Sequence, residues 1–440
     1  MRKEEEIRVI ILAAGQGKRM RSEIPKVLHK LFEKEILSYV IESVIDVATK
    51  VYVIVGHKAE LVKSFAEKNY PKVKCILQAP QLGTGDAVNK AYSELEDFKG
   101  DVLVLNGDIP LIERDTIEKF IEYHKKNKSD LTVLSTEFDD PTNYGRIVRE
   151  NTGLLKEVVE EKDTDEIQKR IKEVNAGIYC FNWEKLKQAL NSLTCNNAQK
   201  EYYLTDIIKY AVDKKLNVNA YKIEDNTQIF GINSKEQLME ANKILNERTI
   251  KRLLDKGVTI YDPKTTWISP DTEIEPDSII YPSVYIEGKN YIGNKCKIGP
   301  FAHIRGNVVL GSNVKIGNFV ELKNTQVGNN TKICHLSYIG DSQLGSEINI
   351  GAGTITANYN SISKEKNKTI VEDGVSVGAN SVLIAPVKIN DNAFIAAGSI
   401  VTQEIESNAL AISRSQLVVI KDWVKKQLEK LVNKRVKINK

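Results

Sequence analysis

Residues 291–322 read YIGNKCKIGPFAHIRGNVVLGSNVKIGNFVEL. A large aliphatic residue returns at every sixth position, at Ile292, Ile298, Ile304, Leu310, Ile316 and Leu322. Upstream the series continues without a miss through Ile286, Ile280, Ile274 and Ile268, and glycines follow several members, at Gly293, Gly299, Gly311 and Gly317. Six residues do not close on a 3.6-residue turn, so an α-helix is excluded. One inward aliphatic and one turn-permitting glycine per six residues specify a left-handed parallel β-helix, with three hexapeptides to each triangular coil. Residues 18 apart then stack about 4.8 Å apart along the axis. The register slips by one to Val327, Ile333 and Ile339, and again to Leu344 and Ile350. After a polar loop near 358–369 it resumes at Val377, Leu383, Ile389, Ile395 and Val401. The solenoid is expected over about residues 258–405.

Residues 1–230 alternate short apolar runs with amphipathic stretches. Candidate strands are Val9–Leu12, Val51–Val55, Val73–Gln78, Val102–Leu105, Leu131–Ser135 and Ile178–Cys180, with helices over Ile36–Thr49 and Asp115–Lys126. That order predicts a doubly wound, Rossmann-like α/β domain. Between the two bodies, within 231–257, Ser234-Lys-Glu-Gln237 is a capping box that opens a linker helix, and Gly257 is placed to end it. The third segment, 258–440, adds a basic arm to the solenoid. From Leu417 to Lys440 eight Lys/Arg stand against Asp422 and Glu429, a charge of +6. Trp423, Val424, Leu428, Leu431 and Val432 share one face of a partly helical arm.

The whole chain of 440 residues carries 63 basic and 59 acidic side chains, so everything outside the arm sums to −2. A broad basic face is absent, which argues against a nucleic-acid binder. No run approaches the roughly 18 apolar residues of a membrane span, and the apolar run at Val9–Ala14 is too short for a secretion signal. Five scattered cysteines with no CxxC spacing fit neither a disulfide framework nor structural zinc. A reduced, cytoplasmic protein is expected.

The first strand runs into LAAGQGKRMRSEIPK (12–26), where Gly15 and Gly17 follow a strand and precede a helix. Bare amides in such a loop suit phosphate, although an ordinary strand–turn–helix reads the same way. The third glycine of G-x-G-x-x-G is missing, with Met20 in its place. The spacing Gly15-x-Gly17-x-Arg19-Met20 followed by Pro25-Lys26 resembles the sugar-phosphate nucleotidylyltransferases, and the likeness extends over residues 7–233. Along it lie QAPQLGTGDA (Gln78, Gly83, Thr84), LNGDIPL (Asn106, Gly107, Asp108), NYGRIV (Gly145), VVEEKD (Glu160), EVNAGIY (Asn175) and IFGIN (Asn233).

The resemblance implies that these residues, with Leu12, Ala13, Ala14, Gly15 and Lys26, contact UTP and UDP-N-acetylglucosamine. Gln78, Gly83 and Thr84 would hold the uracil. Asp108 and Asn233 would hold Mg²⁺, while Lys26 and Arg19 would stabilise the transferring phosphate. On the residues alone, Asp108 also reads as a turn aspartate before Ile109-Pro110. The family commonly has Tyr where Asn106 stands.

In the solenoid, Arg305 and Lys323 lie 18 apart, on one face of adjacent coils. Two cations stacked this closely call for an anion between them, and a phosphate suits the site. CHLSYIGD places His335 and Tyr338 in the following coil, and the rhythm breaks at NIGAGTITANYNSISKEKNKT. A lone His is often structural, but one that follows stacked cations is a candidate base, because free imidazole titrates near 6.5. Cys334 is the rival, as a covalent acyl acceptor.

HLSYIGD, NIGAGTITANY and NALAISR resemble the acetyltransferase half of the bifunctional bacterial N-acetylglucosamine-1-phosphate uridylyltransferase / glucosamine-1-phosphate N-acetyltransferases. That resemblance covers about residues 7–415. It implies that Arg305, Lys323, Tyr338, Asn349 and Lys366 bind glucosamine 1-phosphate, with Lys364 and Lys368 as alternatives to Lys366. It makes His335 the general base. It also places Ala352, Asn358, Tyr359, Ala379, Ala397 and Arg414 along acetyl-CoA.

The chain is therefore expected to acetylate glucosamine 1-phosphate and then to join N-acetylglucosamine 1-phosphate to UTP, as a homotrimer without nucleic-acid or membrane partners. Two other readings remain open at this point. One is a nucleotidylyltransferase of other specificity whose solenoid only trimerises. The other is a scaffold carrying a degenerate nucleotide-binding domain.

Overall fold

The structure is a computed structural model that describes residues 6–414 and 416–438, with side chains as far as Leu431. The chain divides after Thr249 into two compact units.

The first unit is built on a mixed sheet. Its main path runs Val218–Lys222, Leu131–Glu137, Glu173–Asn182, Asp101–Asn106, Ile7–Ala13, Lys50–Val55 and Val73–Leu77. Only Glu173–Asn182 runs antiparallel to its neighbours on this path. Alternate residues of Ile7–Ala13 enter two cores, Val9 and Ile11 on one face and Ile10 on the other. Helices Ile36–Val44 and Arg114–Lys126 cover the first face, and Trp183–Asn191 and Asp206–Asp213 cover the second. The strand Ile7–Ala13 lies between one partner that follows it in the chain and one that comes later. Its C-terminal end is therefore the switch point where such sheets open a crevice.

Two local expectations needed correction. The helix expected over Ile36–Thr49 stops at Val44. Thr49 is instead drawn to the first strand, where its N–H and hydroxyl both donate to the Ile7 carbonyl at 2.9 and 3.0 Å. No α-helix follows Gly17 directly either. Two short 3-10 turns, Lys18–Met20 and Lys26–Leu28, occupy the segment, and the first α-helix begins at Ile36.

The second unit is the solenoid, which among the described residues forms three parallel sheets of nine, eight and seven short strands. The inward series from Ile268 to Leu322 is at most 1% exposed. His303, Ile304 and Arg305 pair with Glu321, Leu322 and Lys323, 18 residues on. The slips are coils of 17 residues, as in Leu322↔Ile339, and the polar loop lengthens one coil so that Ile350 meets Val377.

Outward glycines let coils approach. A Cβ at Gly317 would lie 1.8 Å from the Cys334 carbonyl oxygen, a clash with backbone that no rotamer relieves. Gly317→Ala should therefore destabilise the solenoid by about 1–3 kcal/mol. An unchanged unfolding midpoint in denaturant would show that this column is not tightly packed.

The helix Lys235–Asp255 spans the boundary between units. Ser234 Oγ accepts from the Gln237 N–H at 3.2 Å, but the Gln237 side chain reaches one residue further back than in a capping box, to the Asn233 N–H at 2.8 Å. At the other end Gly257 (φ 94°) and Val258 donate back to the carbonyls of Leu254 and Leu253, a Schellman stop. The basic arm forms a helix over Trp423–Ile438, on which Trp423, Val424, Leu428 and Leu431 are exposed. The side chain of Val432 lies outside the described residues.

Candidate functional site

At the switch point of the first unit lie two adjoining cavities of about 490 and 360 Å³. Leu12, Thr84, Asn106 and Asp108 line both. The larger adds Arg19, Gly145, Glu160, Asn175 and Asn233, and the smaller adds Ala13, Ala14, Gly15, Lys26, Gln78 and Gly83. Gly107 alone of the expected residues lines neither. It is buried, and its N–H donates to the Leu12 carbonyl at 2.9 Å.

Local geometry explains the loop. Gly17 adopts φ 59°, and a Cβ there would lie 2.7 Å from Lys26 Cβ, so the lysine stem packs on the bare backbone. A Cβ at Gly15 would meet nothing within 4 Å, and the residue lines the smaller cavity. Lys26 then reaches across the crevice. Its Nζ donates to Asp108 Oδ2 at 2.5 Å and to Asn233 Oδ1 at 2.9 Å. Residues from three distant segments thus converge on one point. Gln78, 4% exposed, donates to the Gly83 carbonyl and to Asp86, which shapes the loop carrying Thr84. Burial holds the Glu160 carboxyl above the usual range. Thr205, donating at 3.2 Å, opposes that shift, and Asp163, Asp206 and Glu201 reinforce it.

Several lining residues escaped the sequence reading. Tyr144 stacks on Phe138 at 4.8 Å to form an aromatic wall. Tyr144 was visible beside Gly145, whereas nothing in sequence marked Phe138. Gln81 braces the loop by donating to the Ala14 carbonyl at 2.7 Å. Asn175 Nδ2 donates to the buried Tyr179 hydroxyl at 2.6 Å. Asn106 lies against Gly177, where a Cβ would come within 2.3 Å of its amide nitrogen.

In the second unit Arg305 and Lys323 stack in register on one sheet. One anion is already at hand, because the Arg305 guanidinium is 2.6 Å from Glu321 Oε1. Burial, then Arg305 and Lys366, push the Lys323 ammonium downward in pKa, while Asp341 opposes. An anion placed among these three cations would relieve that stress. Tyr338 folds its hydroxyl over Gly340, the residue below Lys323. Asn358 donates to Asp341, and Tyr359 bridges Lys366 at the foot of the polar loop.

His335 ends a strand of the neighbouring sheet, at the corner of the coil. Its Nδ1 lies 3.0 Å from Asn318 Oδ1, one coil above, in direct register. An oxygen facing Nδ1 selects the tautomer protonated there, which leaves the Nε2 lone pair free. Asn318 was missed, although its separation of 17 from His335 is the local coil length.

Below His335 the same corner continues. The Gly353 N–H donates to His335 O, that of Asn380 to Ala352 O and that of Gly398 to Ala379 O. Arg414 Nη1 donates to the Ala397 carbonyl at 3.1 Å. Ala352, Ala379, Ala397 and Arg414 therefore form one column beneath the histidine. Asn349 is exposed on the sheet that carries His335, paired with Lys332, and not on the sheet of Arg305 and Lys323.

Comparison with known proteins follows the same division. Residues 8–256 match the nucleotidyl transferase family, and residues 291–324 and 368–403 match the bacterial transferase hexapeptide family. The bifunctional protein GlmU of Acetivibrio thermocellus is 43% identical over 95% of this chain and 97% of its own length. Those of Caldanaerobacter subterraneus subsp. tengcongensis and Alkaliphilus metalliredigens are 42% and 40% identical, over 97% and 95% of this chain and 99% and 98% of their own.

Proposed function

This chain belongs to the family of bifunctional GlmU proteins, and from that premise we propose that it makes UDP-N-acetylglucosamine in two steps at two sites. The solenoid transfers acetyl from acetyl-CoA to glucosamine 1-phosphate, and the first unit then joins the product to UTP with release of pyrophosphate. The observation that carries the proposal is that one chain holds both the Lys26–Asp108–Asn233 convergence at a switch-point crevice and the His335–Asn318 pair above an alanine column.

Uridylyl transfer asks for positioning and charge. A sugar-phosphate oxygen, already ionised at neutral pH, attacks the α-phosphate in line, so no general base is needed. Lys26 and Arg19 stabilise the charge that builds on the transferring phosphate. Gly15 offers a bare amide, and Glu160 accepts from sugar hydroxyls beside Asn175.

The donor set at Asp108 and Asn233 fits Mg²⁺, which takes few protein oxygens and completes its shell with water and phosphate. Those two residues would hold the ion, which would neutralise phosphate charge. Among the described residues no cluster of three or more His, Cys, Asp or Glu offers a different metal site.

In acetyl transfer, Arg305, Lys323 and Lys366 take the phosphate of glucosamine 1-phosphate. His335 Nε2 accepts a proton from the sugar amine as the nitrogen attacks the thioester carbonyl, and CoA departs along the column that ends at Arg414. A reducing cytoplasm suits the five free cysteines, and among the described residues no helix is long and apolar enough to cross a membrane. Two assays on purified protein test the whole reading. One follows CoA release with glucosamine 1-phosphate, the other pyrophosphate release with UTP and N-acetylglucosamine 1-phosphate; silence in either removes that half.

A homotrimer is part of the proposal. His335 is exposed, and at its corner Phe301 and Phe319 stack at 5.2 Å while 52% and 55% exposed, with Leu336 beyond them at 60%. An apolar ridge beside a solvent-open base supports completion of the acetyl site by another copy. Sedimentation should give a trimer; a micromolar monomer that still transfers acetyl groups contradicts this.

A further inference from the structure

We infer that Arg146 is a positioning residue for the sugar phosphate, tying the two lips of the larger cavity at a set spacing; the inference rests on the uridylyl-transfer reading above. Arg146 opens the strand Arg146–Arg149, is 2% exposed, and is among the largest fully buried side chains of the protein. Its Nη1 donates to the Tyr144 carbonyl and forms an ion pair with Glu161 Oε2 at 2.7 Å, without hydrogen-bond geometry. Hairpin pairing with the strand Leu155–Val159 ends at Arg146↔Val159. Tyr144 and Glu161 both lie beyond that last pair, one on each lip.

Between these anchor points sit Gly145 and Glu160, the two lips of the sugar pocket. They are close, since a Cβ on Gly145 would lie 3.5 Å from Glu160 Oε2. Gly145 is also held from behind, where its carbonyl accepts the Asn175 N–H at 2.9 Å. The guanidinium therefore sets how far Glu160 stands from a wall that is already fixed.

Burying a guanidinium against a carboxylate that stays 30% exposed is a poor device for stability alone, because apolar residues of the same volume close a hairpin at least as well. One guanidinium nitrogen that meets a carbonyl and a carboxylate at once fixes the distance between the two lips, which an apolar contact does not. Glu160 needs that precision, because its oxygens must meet sugar hydroxyls rather than water.

The test uses the full-length enzyme with Arg146→Met, Arg146→Lys and Glu161→Gln. Arg146→Met should raise KM for N-acetylglucosamine 1-phosphate about tenfold or more, while KM for UTP moves by less than about twofold. Acetyl transfer should stay at the wild-type rate. Arg146→Lys, which keeps the charge but not the length and planarity of the guanidinium, should fall between wild type and Arg146→Met.

A purely structural role predicts a lower melting temperature and lower kcat with both KM values unchanged, and that result overturns the proposal. If Arg146→Met does not fold, Glu161→Gln carries the same comparison, because it spares the Tyr144 contact and the side-chain volume. If wild-type enzyme transfers no uridylyl group, the functional reading has failed instead. Amide exchange over residues 142–161 then decides the clamp: faster exchange in Arg146→Met or Glu161→Gln supports it, and unchanged exchange overturns it.

Discussion

Asp108→Ala is expected to cut uridylyl transfer by at least about 10²-fold and to leave acetyl transfer near wild type. Asp108 holds Lys26 at 2.5 Å, with side-chain exposures of 20% and 12%, so the substitution removes more than one oxygen. It leaves Asn233 as the remaining acceptor for the ammonium, and it takes away the charged member of the proposed Mg²⁺ pair. Lys26 loses its fixed place in the crevice at the same moment. Asp108→Asn keeps the shape and a carbonyl oxygen, so it should recover folding but little activity. The solenoid belongs to a separate compact unit and should keep its rate. Pyrophosphate and CoA release measured on the same preparation decide the matter. Equal loss of both activities in a folded Asp108→Ala protein would falsify the two-site proposal.

His335→Ala should reduce acetyl transfer by about 10²–10⁴-fold, the usual contribution of a positioned general base, while uridylyl transfer persists. Asn318→Ala is the companion variant. It leaves the ring in place but removes the oxygen that selects its tautomer, so a smaller loss in the same activity is expected. Cys334→Ala should stay within a few-fold of wild type, since that side chain is half-buried while the neighbouring histidine is exposed. Loss of acetyl transfer in Cys334→Ala with retention in His335→Ala would establish a covalent route instead.

The solenoid was legible residue by residue because each six-residue repeat states the same local condition, an inward aliphatic between outward turns. Spacing alone put Arg305 over Lys323, and the structure has them in register. Spacing also carried the signal for Asn318, which went unread because His335 was judged by its neighbours in sequence rather than by its coil. The partner of Arg305 was not legible. Glu321 lies in the adjacent outward column, and which column a long side chain leans toward is decided by packing, not by period.

In the first unit the strands and the family motifs could be read from the chain, but what they build could not. The sequence by itself determined a sixfold solenoid, an alternating α/β body, a helix between them, and a set of polar residues at strand ends. Those follow from local periodicity and turn chemistry, which act over a few residues. Only the tertiary structure decided that Lys26 would meet Asp108 and Asn233, 82 and 207 residues away. It alone replaced the expected helix after Gly17 with 3-10 turns and placed a buried Arg146 against Glu161 at the end of its hairpin. Such contacts depend on how the sheet orders its strands around the switch point. No local run of residues encodes that order, because it is set by burying both faces of one sheet at once.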